Sequence, residues 1–273
     1  MKKIYLLGHP VKQSMSVSIL NPIFEKRGMD LRYELLDVKP EELGEVVTGL
    51  LKDENCLAFN VTVPHKENVI EYLKDISDDA KDIGAVNCVD AKTGKGYNTD
   101  WKGFKKSVEN FEVADVATVF GAGGASKAIV YALCVLGFKE IRVVNRTVER
   151  AEKLVERFSE LFKDKTFKIH SLKESSKALS GADWLVNTTS VGMYPNVDEC
   201  IPVDEEEIRK LKLVYDVVHN PKITKLLSIA QKVGVNFVSG TEMWINQAKE
   251  NFKIWNVEEI TDEFEEKARE LIG

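Results

Sequence analysis

The chain has 273 residues, 44% of them hydrophobic and 30% charged, with a formal net charge of −6. That balance describes an ordinary globular protein, long enough for two domains and short for three. The acidic surplus argues against general affinity for nucleic acid or an anionic membrane surface, and no apolar run reaches the roughly 18 residues of a membrane helix.

The opening MKKIYLLGHPV is only superficially like a signal peptide, because its apolar run is four residues long; it is read as a first strand. A helix is expected over residues 14–27, closed by Gly28. LRYELLDV forms the next strand, and Pro40 opens a second helix at its first position. CLAFNVTV makes a third strand, and a helix is expected after Pro64. AVNCVD is a further strand that turns through residues 92–96. This alternation implies an open, mostly parallel α/β sheet, and residues 100–110 are expected to cross to a second domain.

From Ala117 the alternation continues through six strands: ATVF, EIRVVN, TFKIH, DWLVN, LVYDVV and VNFVS. That number suits a doubly wound Rossmann dinucleotide domain. The first strand runs into Gly121, Ala122, Gly123, Gly124, Ala125 and Ser126. Gly121 permits a tight turn and Gly123 leaves room for backbone to approach a pyrophosphate, while Ser126 takes the place of the usual third glycine. The helix that follows, from about Ala125 to Leu136, aims free N–H groups at the phosphates.

The second strand of this unit ends in Asn145, Arg146 and Thr147, followed by Arg150, with no acid where an NAD site carries one. Thr147 is a candidate N-cap, and the two guanidiniums would converge on the 2′-phosphate of NADP. The chain closes with EMWINQAKENFKIW and a helix for which Asn256 and Glu259 form a candidate capping pair. The domains expected are thus 1–103, completed by helices from 241–273, and 104–240. Cys56, Cys88, Cys134 and Cys200 form no CxxC pair, so reduced thiols in a cytoplasmic protein are expected. With four histidines and no His/Cys grouping, no metal site is expected.

Several clusters are polar where core strands should be apolar: GHPVKQSMS (8–16), NVTVPHK (60–66), AVN (85–87), GYNTD (96–100) with Gly103, NTTSVGM (187–193) and GTEMWINQ (240–247). With the glycine loop and NRTVER (145–150), their order and spacing resemble the shikimate dehydrogenase family over nearly the whole chain. The resemblance implies reversible, NADP-dependent reduction of 3-dehydroshikimate to shikimate, a step toward chorismate in aromatic amino-acid biosynthesis. It also implies that Lys66 and Asp100 form the catalytic pair, able to stabilise a developing alkoxide and deliver a proton.

Ser14 and Ser16 then match the pair that binds the substrate carboxylate, and Thr62, Asn87 and Gln247 match hydroxyl-binding positions. Gly121–Ala125, Asn145, Arg146, Thr147, Arg150, Thr188, Gly240 and Met243 fall to the cofactor, the last three near the nicotinamide. Asn60 reads as a supporting residue. A bland use exists for several of these: Ser14 and Asp100 as N-caps, Gln247 as a plain helix residue and Met243 as core.

The chain departs from the family pattern at Gln13 and Val17, which stand for the usual His and Pro. His219 stands where Tyr is common, and its titration near pH 6.5 would add a pH dependence. The alternatives are a quinate or dual quinate/shikimate dehydrogenase, a methylenetetrahydrofolate dehydrogenase, and a catalytically inactive NADP-binding regulator. No nucleic acid or membrane partner is expected, and a monomer and a homodimer both remain open.

Overall fold

A computed structural model of the chain describes residues 1–11 and 14–272; the departure at Gln13 lies outside the described residues. The chain divides into two compact units, Met1–Thr99 with Ala248–Leu271, and Asp100–Gln247. The first contains β1 (Lys2–Gly8), α1 (Ser16–Lys26), β2 (Leu31–Asp37), α2 (Leu43–Leu50) and β3 (Cys56–Val61). It continues through β4 (Asp75–Ile76), α3 (Asp78–Ile83), β5 (Cys88–Asp90) and β6 (Lys95–Tyr97).

The sheet order is β2-β1-β3-β5-β6-β4. β1 pairs in parallel with β2 and β3, whereas β5 runs antiparallel to β3 and β6. The antiparallel turn-back is short because β5 and β6 are joined directly by the tight turn after Asp90, with no crossover helix. Its effect is to bring the ends of β1, β3 and the segment before β5 to one edge.

Local chemistry explains most boundaries. Gly28, at φ +63°, ends α1, and the Gly28 and Met29 amides donate to Glu25 and Phe24 carbonyls. Pro40 opens a 3₁₀ turn, Pro40–Glu42, that leads into α2. After Pro64 the expected α-helix is instead a 3₁₀ turn, Asn68–Tyr72, in which only Val69 is buried. One apolar anchor is too little to hold a longer helix against the core.

The second unit runs α4 (Asp100–Ser107), β7 (Val116–Phe120), α5 (Gly124–Leu136), β8 (Glu140–Asn145), α6 (Val148–Leu161) and β9 (Thr166–Ser171). It continues with α7 (Ser175–Leu179), β10 (Trp184–Asn187), α8 (Glu205–Ile208), β11 (Leu213–Asp216), α9 (Lys225–Val233) and β12 (Asn236–Ser239). Its six strands are all parallel, in the order β12-β11-β10-β7-β8-β9. The order reverses between β7 and β10, so the crevice beyond their carboxyl ends is the ligand position of a doubly wound sheet. Apolar clusters cover both faces, one around Phe104, Phe138, Phe158 and Trp184, the other around Phe120, Leu185, Ile208 and Leu227.

The chain closes with α10 (Gly240–Trp255) and α11 (Thr261–Ile272). Asn256 does not open the last helix: at φ +56° it ends α10, a left-handed position that Asn tolerates. A 3₁₀ turn, Glu258–Ile260, leads into α11. Lys26 and Arg27 at the end of α1 clasp Glu263 at 2.7 and 2.9 Å, which pins α11 to the first unit.

Candidate active site

In the first unit the polar residues at the strand ends are joined in one network. The Asn60 carboxamide, at the end of β3, accepts from the Tyr33 hydroxyl at 3.0 Å and donates to the Asn87 carbonyl at 3.0 Å. Ser16 lies beside the Tyr33 hydroxyl and helps to offset the burial that raises that phenol's pKa. Ser14 Oγ accepts from the Ser16 amide at 3.3 Å, so the two serines are held as a pair at the start of α1.

The Asn87 carboxamide exchanges hydrogen bonds with Thr99, receiving from its amide at 2.7 Å and donating to its hydroxyl at 2.9 Å. The Thr99 hydroxyl donates in turn to Asn251 Oδ1 at 2.7 Å. Asn87, Thr99 and Asn251 are all at least 97% buried. Thr99 and Asn251 had no place in the sequence reading. Thr99 sits inside the GYNTD cluster, whereas nothing near Asn251 in the chain marks it.

Lys66 is half-buried and stands on a turn with four anchors. The His65 amide donates to the Thr62 carbonyl at 2.9 Å, and the Val69 amide donates to the His65 carbonyl at 2.9 Å. The Lys66 carbonyl accepts from the Val86 amide at 2.7 Å, one residue before Asn87. The His65 ring is fully buried, and its Nε2 lies 2.6 Å from the Val38 carbonyl. Because a carbonyl can only accept, Nε2 carries the proton. His65, too, escaped the sequence reading. Thr62 fits because Gly8 leaves it space: a Cβ on Gly8 would strike the Thr62 methyl.

In the second unit the glycine loop is held by a chain of hydroxyls. The Gly123 amide donates to Ser126 Oγ at 3.1 Å, and Ser126 and Thr188 Oγ lie 2.6 Å apart. The Thr188 hydroxyl reaches the Phe120 carbonyl at 2.6 Å. Since that carbonyl accepts, Ser126 must donate to Thr188, and the whole chain has one direction. A Cβ on Gly121, where φ is +113°, would meet Thr188 Oγ, whereas one on Gly123 would meet nothing within 4 Å. Gly121 thus serves the fold, and Gly123 keeps space open in front of the amino end of α5. Ala122, Gly124 and Ala125 complete the loop, and the open space suits a pyrophosphate.

Arg146 and Arg150 are exposed beyond β8, and among the described residues neither pairs with a carboxylate. Asn145 Nδ2 donates to the Thr147 carbonyl at 2.7 Å. Thr147 occupies the N-cap position of α6, but its side chain makes no cap bond. Asp100 is buried in the first turn of α4, where the helix dipole favours an anion. Gly103 lets α10 approach α4: its Cβ would lie 2.7 Å from the Met243 carbonyl. Met243 itself belongs to the unit's apolar core.

Gln247 Nε2 donates to the Trp244 carbonyl at 3.0 Å. A Cβ on Gly240 would collide with the Val217 carbonyl. His219 stacks on Trp244 with planes 3° apart and centroids at 5.5 Å. Burial holds this imidazole below its usual range, so the charge expected of it at mildly acid pH is pushed to more acid conditions. Burial also pushes the Cys56 and Cys134 thiols up to about 12, which leaves them unreactive. Among the described residues no group of acids, histidines or cysteines could hold a metal ion.

Comparison with known proteins agrees along the chain. The family described as shikimate dehydrogenase substrate binding domain matches residues 6–89, and shikimate / quinate 5-dehydrogenase matches residues 104–232. A relative named shikimate dehydrogenase (NADP(+)), from Caldanaerobacter subterraneus subsp. tengcongensis, is 44% identical over 95% of this chain and 93% of its own. The crystal structure of shikimate dehydrogenase from Thermotoga maritima superposes with a TM-score of 0.86 at 41% identity, covering 98% of this chain and 99% of that one. Shikimate 5-dehydrogenase from Thermus thermophilus, solved in complex with NADP(H) and shikimate, gives a TM-score of 0.83 at 30% identity over 99% of both chains. Sharing nearly full length, both matched domains and the fold with these proteins, the chain belongs to the shikimate dehydrogenase family.

Proposed function

We propose that this protein is an NADP-dependent shikimate dehydrogenase, reducing the ring carbonyl of 3-dehydroshikimate to the alcohol of shikimate and running the reverse reaction. The carrying observation is the glycine loop, with open space at Gly123, followed at the end of β8 by two exposed arginines that pair with no carboxylate among the described residues. Arg146 and Arg150 hold the 2′-phosphate, the backbone of 121–125 cradles the pyrophosphate, and Gly240 and Met243 line the nicotinamide side. The cofactor, when bound, supplies the hydride.

Of the residues assigned to the substrate, Ser14, Ser16, Thr62, Lys66 and Asn87 belong to the first unit and Asp100 and Gln247 to the second, which also holds the cofactor residues. Ser14 and Ser16 take the substrate carboxylate, and their pairing through the Ser16 amide suits a shared anion. Asn87, Thr62 and Gln247 bind hydroxyls. Neutral donors and acceptors suit a polyol, and the buried Asn87 is held in place by Thr99. Lys66 and Asp100 work on the carbonyl oxygen, which gathers negative charge as hydride reaches its carbon. The ammonium stabilises that charge, and the pair delivers the proton that completes the alcohol.

Free thiols at all four cysteines, three of them buried, suit a reducing compartment, and we assign the enzyme to the cytoplasm as a monomer or homodimer. The deciding experiment measures oxidation of shikimate and of quinate with NADP and with NAD. Turnover of shikimate with NADP, at a kcat/KM at least about tenfold above the other three pairings, is expected. Preference for quinate would move the assignment to the quinate enzyme, and NADPH binding without turnover would make the protein a regulator.

A further inference from the structure

Asp216, at the end of β11, is fully buried, and its carboxyl group is the centre of a second polar network. Oδ1 accepts from Asn187 Nδ2 at 3.0 Å and from the Val218 amide at 3.1 Å, and Oδ2 accepts from the Thr224 hydroxyl at 2.6 Å. The Thr224 oxygen also receives the Leu227 amide at 3.3 Å, capping α9, so its one proton is directed at Asp216. Asn187 Oδ1 accepts from the Thr189 amide and hydroxyl at 3.1 and 2.7 Å. Each of these partners of the carboxyl group is a donor, which is the environment an anion needs.

Asp216, Asn187 and Thr224 are each no more than 1% exposed. Burying a carboxylate is costly, and apolar side chains of similar volume would hold the same space at less cost. What the carboxylate provides is direction. It ties the backbone leaving β10, at residues 188–191, to the backbone leaving β11, at 217–224. Both lie beyond the carboxyl ends of adjacent strands, the ligand edge of the sheet. One of these segments carries Thr188, which locks the glycine loop through Ser126 and Phe120. The other leads to His219, stacked on Trp244.

We propose that Asp216 is a positioning residue for hydride transfer: through Asn187 and Thr224 it holds the two segments that flank the nicotinamide end of the cofactor. The proposal rests on the reaction assigned above. It weights alignment over affinity, because Arg146 makes no bond to the Asp216 network and the 121–125 loop is reached from it only through the Thr188 hydroxyl.

The test compares wild type with Asp216→Asn, which places a donor against donors, and with the exchanged pair Asn187→Asp/Asp216→Asn, which restores the bond between the two side chains in opposite order and leaves the Val218 amide without its acceptor. Burial pushes the Asp216 carboxyl up to about 7, so assays at about pH 8.5 read the ionised form. At a temperature well below every melting midpoint, Asp216→Asn should lower kcat by about tenfold while the NADPH dissociation constant, read by fluorescence, moves by less than about threefold. The exchanged pair, which regains the bond between β10 and β11, should recover part of the lost kcat, by about threefold.

A variant with a lower melting midpoint and a kcat within about twofold of wild type would reduce Asp216 to a fold residue and overturn the proposal. So would an exchanged pair that regains stability without regaining kcat. If Asp216→Asn does not fold, Thr224→Val, which removes one donor and keeps the carboxylate, should lower kcat by about threefold or more, and an unchanged kcat there is equally fatal. Wild-type protein that binds NADPH without turning over 3-dehydroshikimate overturns the assigned reaction and the proposal with it, a result the variants cannot mimic.

Discussion

Arg146 and Arg150 are exposed at the end of β8 and the start of α6, and among the described residues neither pairs with a carboxylate. A charge-assisted hydrogen bond contributes about 1.5–3 kcal/mol. Arg146→Ala should therefore weaken NADPH binding by about 10–150-fold and leave NADH binding nearly unchanged, measured by fluorescence titration with each nucleotide. Equal losses for both nucleotides would show that Arg146 supports the loop rather than reads the phosphate. At this scale residue types and short spacings were legible: the glycines, the paired serines, and Lys66 behind its proline. Their bonding partners were not. Thr188 is 62 residues from Ser126, and Asn251 is 152 from Thr99, so only the fold reveals that these hydroxyls and amides are committed to each other.

Elements were legible where burial is continuous. The central strands β7, β10 and β11 of the second unit read as apolar runs because both faces of that sheet are covered there, whereas the edge strand β9 alternates. Short pieces were not, as the turn after Pro64 and the reassignment of Asn256 show, because a single buried residue or one φ angle decides them. The strand–turn–helix from β7 to α5 holds two glycines for which the sequence predicts different uses. Gly121→Ala forces a side chain into φ +113° and against Thr188 Oγ, whereas Gly123→Ala meets nothing within 4 Å. The first should lower stability by about 1–3 kcal/mol. The second should leave the melting midpoint unchanged and weaken NADPH binding by about tenfold or more, since the added methyl enters the open space that we propose for the pyrophosphate. Thermal melts with and without NADPH check both, and a Gly123→Ala protein with normal affinity would remove the pyrophosphate from that space.

Across the whole molecule, stability against pH falls to a few buried groups. Surface ion pairs such as Lys139–Asp115, at 2.9 Å with both side chains more than half exposed, are screened and contribute little. Burial holds His170 and His219 below the usual imidazole range. The native protein then resists a proton that the unfolded chain accepts, so their contribution is complete above about pH 6.5 and is lost as pH falls through the folded values. Asp216 has the opposite sign: raised to about 7, its contribution is complete below about pH 3.8 and is lost as pH rises toward 7. The two trends oppose each other between about pH 4 and 7, which predicts a flat stability curve there. His170 offers the clean probe, because it is buried on β9 and both its ring nitrogens lack a hydrogen-bond partner. Leaving a buried polar group unsatisfied costs about 1–3 kcal/mol. His170→Leu should therefore raise the melting midpoint by several degrees at about pH 7.5, on the scale of about 2–4 °C per kcal/mol. The gain should widen at about pH 5.5, where wild type bears the further cost of keeping the imidazole neutral. Calorimetry at both pH values decides it. A variant less stable than wild type at both would mean that the ring holds the edge of the sheet by packing alone, and the acid side of the stability curve would then rest on His219.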